Sequence, residues 1–218
     1  MIEGIIPGCW PARRAGPFPQ HAAAPRGFNL EQALDRALEV FWRKSYEGAT
    51  LPDLTRAMGI NRPSLYAAFG NKEALFRKVV ERYAGGPGAY VRKALDEPTA
   101  RKVVAQLLRG AADSLTGPRQ PRGCLLVQGA LACGEEADPV RRELASGRAA
   151  GEAALRRRLE RAKADRDLPG DSRPADLARF ITTVIHGMSV QAAGGASRAE
   201  LRRVAEMALR AWPAGAKE

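Results

Sequence analysis

Apolar residues recur at three- and four-residue steps along most of the chain, which is the period of a helix with one buried face. The first such stretch follows Asn29, and its apolar positions are Leu30, Ala33, Leu34, Ala37, Leu38 and Phe41. It ends at Gly48, and shorter helical patterns follow to about residue 58, over 62–69 and over 72–84. No stretch alternates in the way half-buried strands do, so the pattern predicts an all-α fold.

A glycine–proline run at 85–88 interrupts the helical patterns and predicts a domain boundary. Further helical patterns follow at about 88–95, 99–116, 123–133, 139–165, 174–194 and 198–211. Residues 1–25 are rich in Pro, Gly and Ala without any period. We therefore predict a disordered tail over 1–25, a small helical domain over 26–85 and a larger one over 86–218.

The small domain carries the pattern of a helix-turn-helix. Gly59 ends one short helix and Asn61 can cap the next, which leaves only a three-to-four-residue turn between them. Thr50 precedes the first of these helices as a cap, with Pro52 and Asp53 in its first turn. The second helix of such a unit enters the major groove of DNA.

Helical phasing over 62–69 separates a buried face from a face that can read DNA. Leu65, Ala68 and Phe69 point inward, and the outward residues are Asn61, Arg62, Pro63, Ser64, Tyr66 and Ala67. Arg62 can pair with guanine, and Asn61 or Ser64 can hydrogen-bond a base or a phosphate. Pro63 and Ala67 offer an apolar patch to a thymine methyl group. The alternative is that these are ordinary short surface residues.

Three positions are candidate phosphate contacts, which fix the register of a protein on DNA without reading sequence. Tyr66 can offer its hydroxyl, although packing is the alternative. Lys72 lies in a first helical turn, where the helix dipole disfavours a cation unless a phosphate or the neighbouring Glu73 compensates it. Thr50 marks a helix N-terminus, where backbone amides attract anions.

The net charge of +11 and the pI near 10.2 favour a polyanionic partner. The excess is spread over the chain, because residues 25–85 carry 10 − 7 = +3 and residues 86–218 carry 23 − 16 = +7. A sequence-tolerant DNA-compacting protein is therefore a competing interpretation. Three cysteines, with no apolar run of membrane-spanning or signal-peptide length, predict a soluble cytoplasmic protein without a membrane partner.

The sequence does not favour an enzyme. It has two histidines, and it lacks the Cys/His spacing of a metal site, a phosphate-binding glycine loop and a nucleophile elbow. We therefore expect no metal, no cofactor and no catalytic residues.

The run GINRPSLYAAFGNKEAL at 59–75, preceded by FWRKSYEG at 41–48, resembles the N-terminal segment of the TetR/AcrR family of bacterial transcriptional regulators. The resemblance covers about 50 residues and implies a homodimer whose reading helices enter successive major grooves of an operator. It also implies that a small-molecule effector, bound in the larger domain, releases the DNA. Ala68 departs from the family at a position often held by histidine. Arg26 lies where relatives carry a basic arm, which makes it a candidate minor-groove contact.

In this family the last long helices form a four-helix bundle across the dimer, and two segments carry suitable apolar faces. They are Leu177, Phe180, Ile181, Val184, Ile185 and Met188 in the later helix, and Val140, Leu144, Leu155 and Leu159 in the 139–165 helix. Packing within one chain is the alternative for both faces. A ligand-independent repressor also stays open.

Two residues of the larger domain are candidates for sensing. Cys124 opens a predicted helix beside Arg122, an environment that lowers a thiol pKa and suits oxidation or electrophile addition. A small buried residue is the alternative for Cys124, and Cys133 is too far along the same helix to be its disulfide partner. His186 can bond a ligand or a partner helix, or it can be an ordinary core histidine.

Overall fold

The computed structural model describes residues 29–118, 120–131 and 138–213, and within them all regular structure is α-helical. The helices are α1 (Leu30–Gly48), α2 (Leu51–Met58), α3 (Arg62–Phe69), α4 (Lys72–Gly85), α5 (Tyr90–Leu95), α6 (Ala100–Leu115), α7 (Leu125–Leu131), α8 (Asp138–Ala164), α9 (Pro174–Ala193) and α10 (Arg198–Arg210). The all-α prediction is confirmed. The predicted tail, Arg26 and Cys133 lie outside the described residues.

Helices α1 to α4 close around the first of two apolar cores, which we call the N-terminal core. Its largest fully buried side chains include Phe41, Leu54, Leu65 and Phe76. Phe76 meets Phe41 edge to face with ring centroids 5.0 Å apart, an arrangement that favours aromatic pairs. Leu30 was expected on the buried face of α1 but is 45% exposed, because it is the first residue of the helix, where little packs over it.

The N-terminal core also includes residues from far along the chain. Leu125 at the start of α7, and Val140 and Leu144 in the first half of α8, are buried with the residues of α1 to α4. The second half of α8 instead buries Leu155 and Leu159 in the other core. All four α8 positions expected at a dimer interface are therefore core within one chain, and the dimer expectation for this face is wrong.

The second core, which we call the C-terminal core, lies between α5, α6, the end of α8, α9 and α10. It consists of aliphatic and alanine side chains with Trp212 as its large aromatic residue. Arg158 is buried at its edge and donates to the carbonyls of Glu97 and Pro98 over 2.8 and 3.0 Å, which joins α8 to the turn before α6. Among the described helices, none is long and apolar enough to cross a membrane.

Candidate nucleic-acid interface and buried thiol cluster

The turn between α2 and α3 is fixed by its capping residues. Gly59 ends α2 with φ 70° and ψ 32°, a left-handed conformation that a glycine adopts without a Cβ clash. The Ile60 amide donates back to the Thr55 carbonyl over 3.0 Å, and Asn61 then caps α3 by accepting from the Ser64 amide over 2.8 Å. Two short helices are thereby held at a fixed angle through local hydrogen bonds.

The third helix has one buried face and one open face. Leu65 and Phe69 are buried against α1, α2 and α4, whereas Arg62, Pro63 and Ala67 are exposed and Tyr66 is 45% exposed. Ser64 is half-buried. Among the described residues Arg62 has no ion-pair partner, so its guanidinium is free to bind another molecule. These side chains form a continuous outward surface at the N-terminal half of α3, which we call the reading face.

Asn61 is at the edge of the reading face, but its side chain is already partly used. Its carboxamide oxygen accepts the capping bond from Ser64, so its amide nitrogen is the group left to donate to DNA.

The capping box at Thr50 limits the number of hydrogen-bond donors that the N-terminus of α2 can offer to a phosphate. The Thr50 hydroxyl donates to Asp53 over 2.8 Å and accepts from the Asp53 amide over 3.2 Å. Pro52 has no N–H, so the amide of Leu51 is the first-turn donor that remains for a phosphate. Lys44 lies 2.9 Å from Asp53 and, with the bonds from Thr50, lowers the pKa of that carboxyl to about 2.

The Lys72 side chain is held against the protein. Its ammonium lies 4.5 Å from the centroid of the Tyr46 ring, and burial lowers its pKa while nearby Glu47 opposes the shift. The aromatic ring and Glu47 thus offset the unfavourable helix-dipole position. Lys72 is half-buried, so part of its side chain stays accessible to another molecule.

Cys124 lies where the two cores meet, and it packs against both of them. Its sulfur accepts from the Tyr83 hydroxyl over 3.1 Å, and its amide donates to the hydroxyl of fully buried Ser189 on α9 over 2.8 Å. The preceding Gly123 has φ 87°, and a Cβ there would lie 3.1 Å from the Ser189 carbonyl. Glycine is needed at this position for both reasons.

The expectation of a lowered Cys124 pKa is wrong. Burial raises the pKa of this thiol, and the Tyr83 hydrogen bond, the Val127 and Leu126 amides and Arg148 only partly oppose it. Arg122 does not assist, because its guanidinium bonds the carbonyls of Ala192 and Ala196 instead. The thiol is therefore protonated at neutral pH.

Several polar groups surround the thiol, and most of them could not be identified from local sequence patterns. Burial raises the pKa of Tyr83 well above its usual range. Burial also raises the pKa of Tyr90 on α5 above its usual value of 10.0, so both phenols stay protonated. Arg148 on α8 donates to the Leu126 carbonyl over 2.7 Å, and burial lowers its pKa. We call Tyr83, Tyr90, Cys124, Arg148 and His186 the thiol cluster.

His186 on α9 is half-buried within this group. Burial lowers its pKa first and the nearby Arg148 lowers it further, while Glu152 opposes the shift. The imidazole is therefore neutral at pH 7 and can act as either a hydrogen-bond donor or an acceptor. The structure thus brings both candidate sensing residues into one neighbourhood of the larger domain.

Apolar side chains remain exposed on α9 and α10. Phe180 is 41% exposed and Val190 is 47% exposed on α9, and on α10 Val204 is 42% and Met207 63% exposed. Of the six α9 residues predicted at the dimer face, only Phe180 is exposed: Ile181 and Met188 are buried in the C-terminal core, and Leu177, Val184 and Ile185 pack against it, so for most of this face the alternative of packing within one chain is correct. Val190 and the two α10 residues were not predicted. We call these four residues the apolar strip.

Comparison with known proteins agrees with this architecture. A family model described as "Bacterial regulatory proteins, tetR family" matches residues 33–79, and one described as "Tetracyclin repressor-like, C-terminal domain" matches residues 100–208. The HTH-type transcriptional repressor ComR of Escherichia coli (strain K12) is 33% identical over 191 residues, covering 87% of this chain and 91% of ComR. The repressor BdcR of the same organism is 30% identical over 191 residues, covering 84% of this chain and 89% of BdcR.

A solved structure extends the likeness to a DNA complex. It is a cysteine mutant of the TetR family transcriptional regulator CifR, complexed with 26bp double-strand operator DNA. It superposes on this chain with a TM-score of 0.83 and 47% sequence identity, and the match covers 87% of this chain and 100% of the CifR chain.

Proposed function

The chain belongs to the TetR family of bacterial regulatory proteins, and we propose that it is a transcriptional repressor that binds a palindromic operator as a homodimer. We place it in the cytoplasm, with double-stranded DNA and a small-molecule effector as its partners and no enzymatic activity. The observation that carries the proposal is the reading face of α3, where uncommitted Arg62 stands beside exposed Pro63 and Ala67.

The chemistry of the reading face suits base edges in a major groove. A guanidinium can donate two bonds to guanine, and the small apolar Pro63 and Ala67 allow α3 to approach the thymine methyl groups closely. Tyr66 at the rim, Lys72 on α4 and the Leu51 amide beside Thr50 are suited to phosphates. Repression is supported by ComR and BdcR, which are repressors, and operator binding by the DNA complex of CifR.

The apolar strip supports the homodimer. Four large apolar side chains are exposed on two helices that contact each other, and a second copy that covers them removes apolar surface from water. A two-fold dimer presents two reading faces to half-sites about 34–36 Å apart along DNA, one helical turn. Selection of bound fragments from genomic DNA tests this: we expect palindromic sites, and recovery of only non-palindromic sequences would contradict the dimer.

The effector acts, in this proposal, at the thiol cluster. Tyr83 belongs to the N-terminal core and Tyr90 packs on the C-terminal core, and Cys124 contacts both cores between them. The Tyr83 ring also meets Trp42 of α1 edge to face, with centroids 4.9 Å apart. A molecule that separates Tyr83 from Cys124 therefore shifts α4 and α1, and with them the orientation of α3.

A second candidate function is sensing by the Cys124 thiol itself. Addition to an electrophilic carbon forms a sulfur–carbon bond and passes the thiol proton to the electrophile, whereas a peroxide oxidises the sulfur to a sulfenic acid and is reduced to water. Either product enlarges a side chain that packs between two cores. The raised pKa makes the reaction slow at neutral pH, so reactivity should increase as pH rises.

Operator release by N-ethylmaleimide or hydrogen peroxide, wild type against Cys124→Ser, distinguishes the two modes. Loss of release in Cys124→Ser indicates a thiol sensor. Equal release from both proteins contradicts it and leaves a reversible effector, or ligand-independent repression, as the mode of regulation. Cys9 and Cys133 remain in both proteins and act as internal controls.

A further inference from the structure

A cleft of about 540 Å³ opens between the C-terminal end of α1 and the segment that leads into α7. It is separate from the reading face, and it joins the small domain to the large one. The side chains that carry the argument are Trp42, Arg43, Lys44, Gln120, Arg122 and Gln128. We call it the α1–α7 cleft.

The charge of the cleft has one sign. Arg43, Lys44 and Arg122 line it together with two glutamine amides, and no lining residue in the described part of the chain is acidic. Arg122 is held by neutral acceptors, with its Nε 2.9 Å from the Ala192 carbonyl and its Nη2 bonded to the Ala196 carbonyl. Its position is thus fixed at the end of α9, while no carboxylate among the described residues pairs with its charge.

Trp42 forms part of the wall and has a donor without an acceptor. Its indole Nε1 is buried and has no hydrogen-bond partner in the part of the chain that the structure describes. An unpaired buried donor costs about 1–3 kcal/mol, so an acceptor that reaches this nitrogen is favoured. Beside it the backbone of α1 breaks at Ser45, where φ is 57° and ψ is −177°, a conformation that costs a non-glycine residue free energy.

Lys44 connects the cleft to the DNA-binding elements. It pairs with Asp53 over 2.9 Å, and Asp53 completes the capping box of α2 with Thr50. An anion in the cleft competes with Asp53 for the Lys44 ammonium. Loss of that pair weakens the N-terminal cap of α2, which is the first helix of the helix-turn-helix.

We propose that the α1–α7 cleft is a second regulatory site, which binds a small multivalent anion such as a phosphate ester or a polycarboxylate. Arg43 and Arg122 hold the anion from two sides, and Lys44 turns toward it. Gln120 and Gln128 donate to its remaining oxygens through the amide hydrogens that they do not already donate to the Ser114 and Ser189 carbonyls. Binding that opens the wall at Trp42 gives its buried indole N–H an acceptor. Binding weakens the operator complex through Asp53. The regulatory part rests on the proposed DNA-binding function, whereas anion binding itself does not.

Titration calorimetry with pyrophosphate tests the site on the full-length protein without DNA, at an ionic strength held constant with chloride. We expect saturable binding that Arg43→Gln and Arg122→Gln each weaken by roughly tenfold or more, the value of a charged hydrogen bond. Arg101→Gln, an exposed position on α6, is the matched control and should bind as wild type. Absence of saturable binding in wild type, or equal affinity in all four proteins, overturns the site.

Two further measurements test the chemistry of the ligand and the folding of the variants. Citrate in place of pyrophosphate shows whether carboxylates are accepted, and circular dichroism confirms folding of Arg122→Gln, whose guanidinium also holds α9. Arg43→Gln stays informative if Arg122→Gln unfolds, because Arg43 pairs only with exposed Glu39 among the described residues.

The regulatory step is measured separately, as operator affinity with and without pyrophosphate at constant ionic strength. We expect pyrophosphate to weaken operator binding by the wild-type protein and to leave operator binding by Arg43→Gln unchanged. A loss of operator affinity in Arg43→Gln and Arg122→Gln without any anion overturns the proposal, because the cleft is then a contact for DNA phosphates. Failure to bind operator at all, with intact pyrophosphate binding, contradicts the proposed function but not the anion site.

Discussion

The Arg77 guanidinium on α4 donates to the Glu143 carboxylate on α8 over 2.8 Å, which joins the helix after the reading helix to the longest helix of the larger domain. The Glu143 side chain is only 13% exposed, and burial raises its pKa while Arg77 opposes the shift. Arg77 also pairs with Glu73 one turn away on α4. The two domains are therefore connected by a partly buried ion pair as well as by apolar packing.

Glu143→Gln should lower the free energy of unfolding by about 1 kcal/mol, because Arg77 loses its buried partner but can still reach Glu73 and water. Urea denaturation measures the change. The matched control is Glu39→Gln, which removes an exposed pair with Arg43 and should cost less than about 0.5 kcal/mol. Equal losses from the two variants would show that the interdomain pair contributes no more than a surface pair.

Arg62→Ala should weaken operator binding by about 1–3 kcal/mol while changing binding to random DNA much less. The reason is that, in the proposed operator complex, a guanidinium at the N-terminal end of α3 reads a base edge, and the exposed Arg62 has no ion pair to break within the described chain. Electrophoretic mobility shifts with operator and scrambled duplexes give both affinities.

Lys72→Ala is the contrasting control for that measurement. A phosphate contact contributes equally to all sequences, so both affinities should fall together and the slope of log K against log salt should decrease by about 1. If Arg62→Ala also weakened both duplexes alike, its assignment as a base-reading residue would be wrong.

Local features of the sequence were enough to predict the helices and their caps. The Asn61 cap and the end of α2 at Gly59 each depend on residues within four positions, and both appear in the structure. The open and buried sides of α3 follow from a helical period of 3.6 residues and need no knowledge of the rest of the chain.

The thiol cluster could not be predicted in the same way. Tyr83 is separated from Cys124 by 41 residues and Ser189 by 65, and no periodicity indicates that these side chains meet. Without those partners, Cys124 looked like a thiol at an open helix end, whereas packing between two cores raises its pKa. For the same reason Val140 and Leu144 looked available for a dimer, although α1 to α4 cover them.

The contribution of Asp53 to stability should depend on pH in the acidic range. Its pKa is lowered from 3.8 to about 2 in the folded protein, so the folded state favours the charged form. The stabilisation is therefore complete above about pH 4 and is lost as pH falls toward 2. Urea unfolding of wild type and Asp53→Asn should show a difference that is constant from pH 5 to 7 and smaller at pH 3.

The control for this pH dependence is Asp176→Asn, which removes an exposed carboxylate in the first turn of α9. It controls for the general loss of one acidic charge near a helix N-terminus. A stability difference for Asp53→Asn that stayed the same at pH 3 and pH 5 would contradict the role of Lys44 and Thr50 in holding that carboxylate charged.

Met207→Glu should convert the proposed homodimer to monomers at micromolar concentration, because a carboxylate placed in the apolar strip would have to be buried without a partner when a second copy covers it. Analytical ultracentrifugation measures the mass. Ala149→Glu adds the same charge at an exposed position of α8 outside the strip and should remain dimeric. Because α3 is unchanged, the monomeric variant should bind a single half-site as tightly as wild type does. It should lose most of its affinity for the full palindrome, because the two reading faces are no longer paired. A Met207→Glu protein with the same mass as Ala149→Glu would place the dimer interface elsewhere.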